Sequence, residues 1–219
     1  MNTPRDENGH ERLIASLVEN LAPVRRRVPV LLPTLTWLVL ASAFIGACYA
    51  VVQPFRPGVL TDLAGAPGFA FETLLGLLAA AALFAAALAL AVPALGSPWR
   101  RLAPALALGA AWLALQLWSL VEPTLTPTML GKRAGCVWEV LIVGLPPLGA
   151  GLVLARRRWP LHGAASGLVC GLAAGLLAAA VMQLACMYVP LHNLLFHALP
   201  GLALGVLGAL IGGRLLRAR

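Results

Sequence analysis

The sequence predicts an all-α, polytopic membrane protein with six transmembrane helices and a short N-terminal cytoplasmic helix. The chain has 219 residues, of which 60% are hydrophobic and only 11% are charged, and its mean hydropathy is +0.88. A soluble domain is about half apolar and about a quarter charged. The apolar residues form runs that approach the roughly 20 residues needed to cross a bilayer. These runs lack the alternation typical of membrane β-strands.

Six apolar runs define the predicted spans, and Pro and Gly residues mark the joins between them. The runs cover residues 30–52, 70–92, 102–121, 137–155, 162–184 and 194–213. They divide the chain into an N-terminal segment, residues 1–29, and a six-helix membrane domain, residues 30–219. We expect no cleaved signal peptide, because the N-terminal segment is polar and the first apolar run is too long for a signal sequence.

Basic residues are concentrated on one side of the predicted spans. Thirteen of the sixteen Lys and Arg residues are Arg5, Arg12, Arg25, Arg26, Arg27, Arg100, Arg101, Arg156, Arg157, Arg158, Arg214, Arg217 and Arg219. The other three, Arg56, Lys132 and Arg133, lie in the loops on the opposite side of the spans. Because basic loops stay in the cytoplasm, both termini are predicted to be cytoplasmic. This asymmetry explains the net charge of +8 without a nucleic-acid partner.

The N-terminal stretch "HERLIASLVENLAPVRRRVP" has the spacing of a short amphipathic helix that ends at Pro23. Its apolar face consists of Leu13, Ile14, Leu17, Val18 and Leu21. A helix this short is marginal alone in water. It could lie on the membrane surface, as Arg25, Arg26 and Arg27 would favour, pack on the bundle, or bind a cytoplasmic protein. Glu11 and Glu19 on the polar face weaken the membrane-surface alternative.

A glycine appears at every fourth position of the fifth run. These residues are Gly163, Gly167, Gly171 and Gly175. Residues four apart share one face of a helix, and small residues on that face let a second helix approach closely in lipid. The spacing therefore predicts a helix-packing seam. Gln183 continues the same stripe, and we expect it to hydrogen-bond to a neighbouring helix.

Three of the four cysteines fall at one predicted depth. Cys48, Cys136 and Cys186 lie near the outer ends of spans, whereas Cys170 lies inside the fifth span towards the cytoplasm. The outer side is the oxidising one, where disulfides persist. Cys136 and Cys186 could therefore form a disulfide if their helices adjoin, or they could bind a metal.

The stretch "QLACMYVPLHNLLFHA", residues 183–198, is unusually rich in metal-ligand side chains. The candidates are Cys186, Met187, His192 and His197, together with Cys136 and Met129 from the loop before the fourth span. Thiolates and thioethers suit Cu(I), and imidazoles suit copper or zinc. The spacing Cys-x5-His-x4-His matches no strong zinc motif. Ordinary packing of Cys as a small apolar side chain is the alternative.

Catalytic and transport signatures are missing from the sequence. It contains no Walker loop, no Gly-x-Ser-x-Gly and no His-Glu-x-x-His. Glu72 and Glu139 lie near span ends, and Gln116 and Gln183 are the polar residues inside. A proton-coupled transporter normally has more intramembrane ionisable groups. We therefore expect neither an enzyme nor such a transporter.

Four stretches, in this order, carry a family resemblance. They are "LVENLAPVRRRVP", "FETLLGLLAAAALFAAALALAVPALG", "GCVWEVLIVGLPPLGAGLVLARRRWP" and "AAAVMQLACMYVPLHNLLFHALPGLALGVLGALIGGRLLR". With the six spans, they resemble the NrsF-type anti-sigma factors. These are six-span proteins of the bacterial inner membrane that restrain an extracytoplasmic-function (ECF) sigma factor.

The resemblance implies roles for two parts of this chain. The N-terminal segment would capture the sigma factor in the cytoplasm. A pair of outer cysteines would receive a redox or heavy-metal stress signal, with copper a plausible natural stimulus. Those cysteines match Cys136, in "GC", and Cys186, in "LAC". The family often has Pro after the second of them, where this chain has Met187, which adds a thioether.

The leading hypothesis is therefore a membrane-bound anti-sigma factor that responds to a metal or an oxidant. The apolar face from Leu13 to Leu21 would bind a groove on the sigma factor, and Arg25–Arg27 would add polar contacts. The runner-up is a small metal-handling or transport protein that uses the same Cys/His residues. A third alternative is a structural subunit of a larger membrane complex.

Overall fold

The computed structural model describes residues 5–19, 29–90, 97–158, 160 and 162–216. Its helices are α1 (Arg5–Glu19), α2 (Leu31–Val52), α3 (Val59–Gly65), α4 (Pro67–Leu90), α5 (Pro98–Trp118), α6 (Cys136–Arg156), α7 (Gly163–Ala185), α8 (Pro190–His192), a π-helical turn (Asn193–Ala198) and α9 (Leu199–Leu215). Within these residues, extended pairing is limited to one isolated bridge between Thr128 and Tyr188. The all-α fold class is confirmed.

Six of the helical stretches are long and apolar enough to cross a membrane, as the sequence predicts. They are α2, α4, α5, α6, α7 and the continuous stretch Pro190–Leu215. The second, third and sixth begin three or four residues earlier than predicted, at Pro67, Pro98 and Pro190. Proline fits the first turn of a helix, where its missing N–H has no partner to lose. These prolines start helices rather than separate them.

Successive spans run in opposite directions, which gives the bundle two distinct faces. The beginnings of α2, α5 and α7 and the ends of α4, α6 and α9 lie at one face, called here the terminal face. The opposite face, called here the loop face, carries the connections 53–66, 119–135 and 186–189.

The central helix of the bundle is α7. In the most apolar 18-residue stretch of α7, 78% of the residues are buried, against 17% in the corresponding stretch of α5. It packs on α2, α4, α6 and α9. Four neighbours can surround one helix here because its sequence is mostly Gly, Ala and Leu, which keeps the interhelical distances short.

The closest packing in the protein joins α7 to α9. A Cβ atom added at Gly167 would overlap the carbonyl oxygen of Gly208, and one added at Gly175 would overlap that of Gly201. On the same face of α7, Gly163 lies against Gly212, where an added Cβ would be 2.7 Å from the carbonyl oxygen. The two backbones therefore touch along the glycine stripe, and no side chain fits between them.

Helix α2 is attached to the bundle through Trp37. Its indole ring stacks on Phe84 of α4 with the ring centroids 4.1 Å apart. Its Nε1 donates a hydrogen bond of 3.0 Å to the carbonyl oxygen of Pro147 in α6. One side chain thus fixes three spans relative to one another.

Unlike α2, helix α1 is not attached to the bundle through a buried side chain among its residues 9–19, which are all exposed. The apolar side chains of Leu13, Ile14, Leu17 and Val18 are between 57% and 59% exposed. The rest of the predicted binding segment, Leu21 and Arg25–Arg27, lies outside the described residues. The apolar stripe of α1 is therefore uncovered in the described part of the chain.

Candidate metal and thiol site at the loop face

Two buried thiols meet at the loop face. Cys136 is the first residue of α6, and Cys186 directly follows the last residue of α7. Their Sγ atoms are 3.2 Å apart, and the two side chains are free thiols rather than a disulfide. The pair is 50 residues apart in sequence, and the packing of α6 against α7 brings it together.

Two histidines complete the cluster from the start of the sixth span. The Nε2 atom of His192 lies 3.6 Å from the Cys186 sulfur, and the rings of His192 and His197 are 5.0 Å apart between centroids. One ligand atom from each of Cys136, Cys186, His192 and His197 lies within 4.8 Å of the other three. We call these four residues the Cys/His cluster.

The π-helical turn Asn193–Ala198 explains how two histidines five residues apart reach one site. In an α-helix, residues five apart point about 140° away from each other, because each residue turns about 100°. A π-helix closes its hydrogen bonds between residues i and i+5, so these positions come close together. His192 and His197 have this spacing. Single π-helical turns also occur frequently at functional sites.

The Cys/His cluster fits a tetrahedral metal ion. Bond lengths of about 2.3 Å to sulfur and 2.0–2.1 Å to nitrogen place tetrahedral ligands roughly 3.3–3.8 Å apart. The sulfur–nitrogen distance of 3.6 Å agrees with these values, whereas the two sulfur atoms, 3.2 Å apart, would have to separate by about 0.5 Å to bind one ion. Both ring nitrogens of His197 are buried without a hydrogen-bond partner, and such buried polar atoms normally have one. Two thiols and two imidazoles suit Cu(I) or Zn²⁺.

A hydrogen bond couples the two thiols of the cluster. The hydrogen bond shared with Cys136 lowers the pKa of the Cys186 thiol, and the nearby His197 ring acts in the same direction, against the effect of burial. The thiolate is the form that binds metals and reacts with oxidants. A thiolate at this site is therefore stabilised by the hydrogen bond from the neighbouring thiol.

The other sulfur-containing residues lie in different surroundings. Met187 is buried beside Cys186, while Met129 is 57% exposed in the loop before α6. Cys170 is buried in α7 and packs against Gly151 of α6, and Cys48 is half-buried on α2. The role of Met187 as an additional ligand stays a prediction.

Arg133 connects the Cys/His cluster to α2, which its sequence position does not reveal. It is an outer-loop charge by sequence, yet its side chain is fully buried and forms a 2.8 Å ion pair with Glu139. It donates hydrogen bonds to the carbonyl oxygens of Tyr49 and Gln53 at the end of α2, at 2.8 and 2.9 Å. The carbonyl oxygen of Arg133 lies 3.5 Å from the Cys136 sulfur. Arg133 thus caps α2 and contacts the cluster at the same time.

A second buried polar network centres on Glu72 of α4. Gln183 donates to one carboxylate oxygen at 2.8 Å, and Thr124 donates to the other at 3.1 Å. Gln116 donates to the side-chain oxygen of Gln183 at 3.1 Å, and the Tyr188 hydroxyl lies 2.8 Å from that of Thr124. The hydrogen bond expected for Gln183 is confirmed, with partners on two helices.

The Glu72 network positions the segment that carries Cys186. Tyr188 is two residues beyond Cys186, and its ring packs edge-on against Phe69 with centroids 5.6 Å apart. Its carbonyl oxygen also accepts a 2.9 Å hydrogen bond from the Thr128 amide. The connection after α7 is therefore held by α4 and by the loop before α6. The residues were visible in the sequence, but their convergence was not.

These features define a polytopic, all-helical membrane protein with a largely buried Cys/His cluster at one face and an exposed amphipathic helix that precedes its first span in the sequence. The chain belongs to the NrsF family, described as negative regulator of sigma F, whose family model matches residues 17–217. The resemblance seen in the sequence is confirmed. No curated protein and no solved structure matches the chain.

Membership of the family makes the chain a negative regulator of a sigma factor, and a sigma factor is its implied partner. The match begins at Leu17, so it includes the second half of the α1 apolar stripe and the basic residues Arg25–Arg27. Leu13 and Ile14 precede the match. Their proposed role rests on the helical pattern and on their exposure.

Proposed function

We propose that this chain holds an ECF sigma factor at the cytoplasmic face of the bacterial inner membrane and releases it when a metal ion or an oxidant reaches the Cys/His cluster. In this proposal the terminal face is cytoplasmic and the loop face is extracytoplasmic, in line with the distribution of Arg and Lys. The observation that carries the sensing role is the convergence of four metal-ligand side chains, from two distant parts of the chain, within 4.8 Å.

The capture step uses the exposed stripe of α1. A short amphipathic helix binds by placing its apolar face in a groove on its partner. Leu13, Ile14, Leu17 and Val18 are more than half exposed, so they are available for such a groove. In the proposal Leu21 extends this face, and Arg25–Arg27 make polar contacts with the sigma factor.

The signal acts on the two thiols of the cluster. A soft metal ion such as Cu(I) would bind the thiolates of Cys136 and Cys186 and release their protons, with His192 and His197 as neutral ligands and Met187 as a further sulfur ligand. Alternatively, a two-electron oxidant such as a peroxide would take two electrons from the thiols. The O–O bond of the peroxide breaks, its two oxygens take up the two thiol protons, for hydrogen peroxide as two water molecules, and a bond of about 2.0 Å forms between sulfur atoms that now lie 3.2 Å apart.

The signal would reach the sigma-binding segment through α2. The cluster joins the ends of α6, α7 and α8, and Arg133 attaches the end of α2 to the same place. Helix α2 is the span that follows the N-terminal segment. A signal can change the balance between holding and releasing states only by binding one of them better. A difference of about 3 kcal/mol changes that balance roughly a hundredfold.

Co-purification tests the capture step. The full chain and the ECF sigma factor encoded next to its gene should co-purify from detergent-solubilised membranes. Deletion of residues 1–24 should abolish the complex while the membrane domain still purifies. Binding that survives the deletion would show that the N-terminal segment is not the capture element.

A reporter for the sigma factor tests the sensing step. Cys136→Ser and Cys186→Ser should each abolish induction by copper, cadmium or peroxide, without changing the amount of protein. Cys48→Ser and Cys170→Ser are the matched controls, because these thiols lie outside the cluster and should leave induction intact. Unchanged induction in both cluster variants would refute the sensing role.

A further inference from the structure

An apolar groove between α2 and α6 is separate from the Cys/His cluster. Its volume is about 920 Å³. One wall is formed by α2, between Leu32 and Phe44, and the other by α6 from Pro146 onwards together with Arg157 and Arg158, which follow its last residue. The two helices run in opposite directions, so the groove extends from the terminal face towards the middle of the bundle.

The length of the groove matches one leaflet of a bilayer. The twelve residue steps from Leu32 to Phe44 span about 18 Å at 1.5 Å per residue. Half of the hydrocarbon core of a membrane is about 15 Å thick. The groove therefore has the right depth for the acyl chains of one phospholipid in the leaflet at the terminal face.

The lining of the groove is apolar and partly rigid. It includes Trp37, which is fixed by its stacking on Phe84 and by its hydrogen bond to Pro147. The neighbouring rings of Pro33, Phe44 and Pro146 also line it. A rigid apolar wall binds a hydrocarbon chain with little loss of protein flexibility, because few protein side chains must be ordered.

The charge at the mouth of the groove is positive. Arg157 and Arg158 line its end at the terminal face, and none of the described residues that line it is Asp or Glu. Guanidinium groups bind phosphate through paired charge-assisted hydrogen bonds. Basic pockets between spans are typical binding sites for anionic lipid headgroups. The groove thus combines an apolar lining with a basic end.

We propose that the groove between α2 and α6 binds one anionic phospholipid from the surrounding leaflet. Its acyl chains lie between Leu32 and Phe44 on one side and the α6 wall on the other. Its phosphate is held by Arg157 and Arg158. This site is independent of the proposed sigma-factor capture and of the Cys/His cluster.

Native mass spectrometry of the full chain in detergent tests the headgroup site. Phosphatidylglycerol and phosphatidylcholine with identical acyl chains are supplied in equal amounts, and the lipid retained on the protein is counted. The wild type should retain phosphatidylglycerol preferentially. The double variant Arg157→Gln/Arg158→Gln should reduce that preference on the order of tenfold.

The matched control is the double variant Arg100→Gln/Arg101→Gln, which removes the same charge at the same face from α5, outside the groove. It should keep the preference. Equal retention of both lipids by the wild type, or an equal loss in the control, would overturn the proposal because binding would then follow overall charge alone.

A second pair of variants tests the hydrocarbon slot. Ala150→Trp places a large side chain in the groove from α6 and should displace the retained lipid. Leu210→Trp, at an exposed position of α9, should not. Lipid retention that is unaffected by Ala150→Trp would show that the acyl chains do not occupy this groove.

Discussion

The Cys/His cluster and the helix α1 depart from ordinary protein surfaces and cores in opposite ways. The cluster buries polar, ionisable side chains, with His197 only 1% exposed, whereas α1 exposes apolar ones, with Leu17 59% exposed. A buried polar group and an exposed apolar patch are the two informative exceptions to the usual burial pattern. Each points to a ligand, but of a different kind.

The difference also concerns how each site is supported. The cluster is held by α6, α7, the π-helical turn and the Glu72 network, so its geometry exists before any ligand arrives. Such a site can select a small ion by distance and ligand type. Within the described residues, the apolar side chains of α1 from Leu13 to Val18 are exposed and have no such surroundings. The packing of the bundle thus fixes the geometry of the cluster, whereas the apolar stripe of α1 lies outside that packing.

The largest expected effect is the loss of metal binding in the double variant Cys136→Ser/Cys186→Ser. Loss of a residue that only hydrogen-bonds to a metal ligand typically lowers metal affinity about 10–100-fold. Removal of two direct ligands should therefore weaken Cu(I) binding by about 10³-fold or more. Competition with a chromogenic Cu(I) chelator measures this. The double variant Cys48→Ser/Cys170→Ser should bind as the wild type does, and equal weakening in both would place the metal elsewhere.

A substitution in the glycine stripe of α7 should weaken the packing of α7 on α9. It leaves the four side chains of the Cys/His cluster unchanged. In Gly175→Leu the new side chain would overlap the backbone of Gly201, and the two helices would have to separate. We expect a loss of about 3 kcal/mol in the free energy of unfolding, at the upper end of overpacking effects. Unfolding in mixed detergent micelles measures it. Gly149→Leu is the control, since nothing lies within 4 Å of that position, and comparable losses would argue against a specific seam.

A charge in the apolar stripe of α1 should weaken the binding of the sigma factor and leave the membrane domain unchanged. Leu17→Glu removes about 2 kcal/mol of apolar burial in the complex, which corresponds to roughly 30-fold weaker binding of the sigma factor. The membrane domain should keep its stability and its metal affinity. Glu11→Gln, on the polar face, is the control. Sigma-factor affinity that is identical in the Leu17 variant and in the wild type would exclude the stripe as the binding surface.

The smallest expected effect is that of Glu72→Gln, with Glu72→Leu as the more damaging comparison. Glu72→Gln keeps the shape of the side chain and one acceptor oxygen for Gln183, so we expect a loss of only about 1 kcal/mol in unfolding free energy. Glu72→Leu leaves the Gln183 amide and the Thr124 hydroxyl without their acceptor and should cost about 2–3 kcal/mol. Thermal unfolding in detergent distinguishes the two, and equal stabilities would mean that the network does not support the loop after α7.

Much of the fold follows from patterns that are local in the sequence. Apolar runs of bilayer length predict the six spans, because hydrocarbon accepts only segments whose backbone hydrogen bonds close internally. The helical spacing of Leu13, Ile14 and Leu17 predicts α1. The depth of Cys136 and Cys186 follows from counting residues along their spans. Each of these inferences needs only the rise and the periodicity of a helix.

Local sequence patterns therefore predict the number of spans, their order and the approximate depth of each residue. The tertiary structure decided which residues meet at that depth: the π-helical turn that aligns His192 with His197, the cap that Arg133 places on α2, and the convergence of Gln183 and Thr124 on Glu72. The physical reason is that rotation and contact between helices depend on how side chains of distant segments pack together, and no local periodicity encodes that.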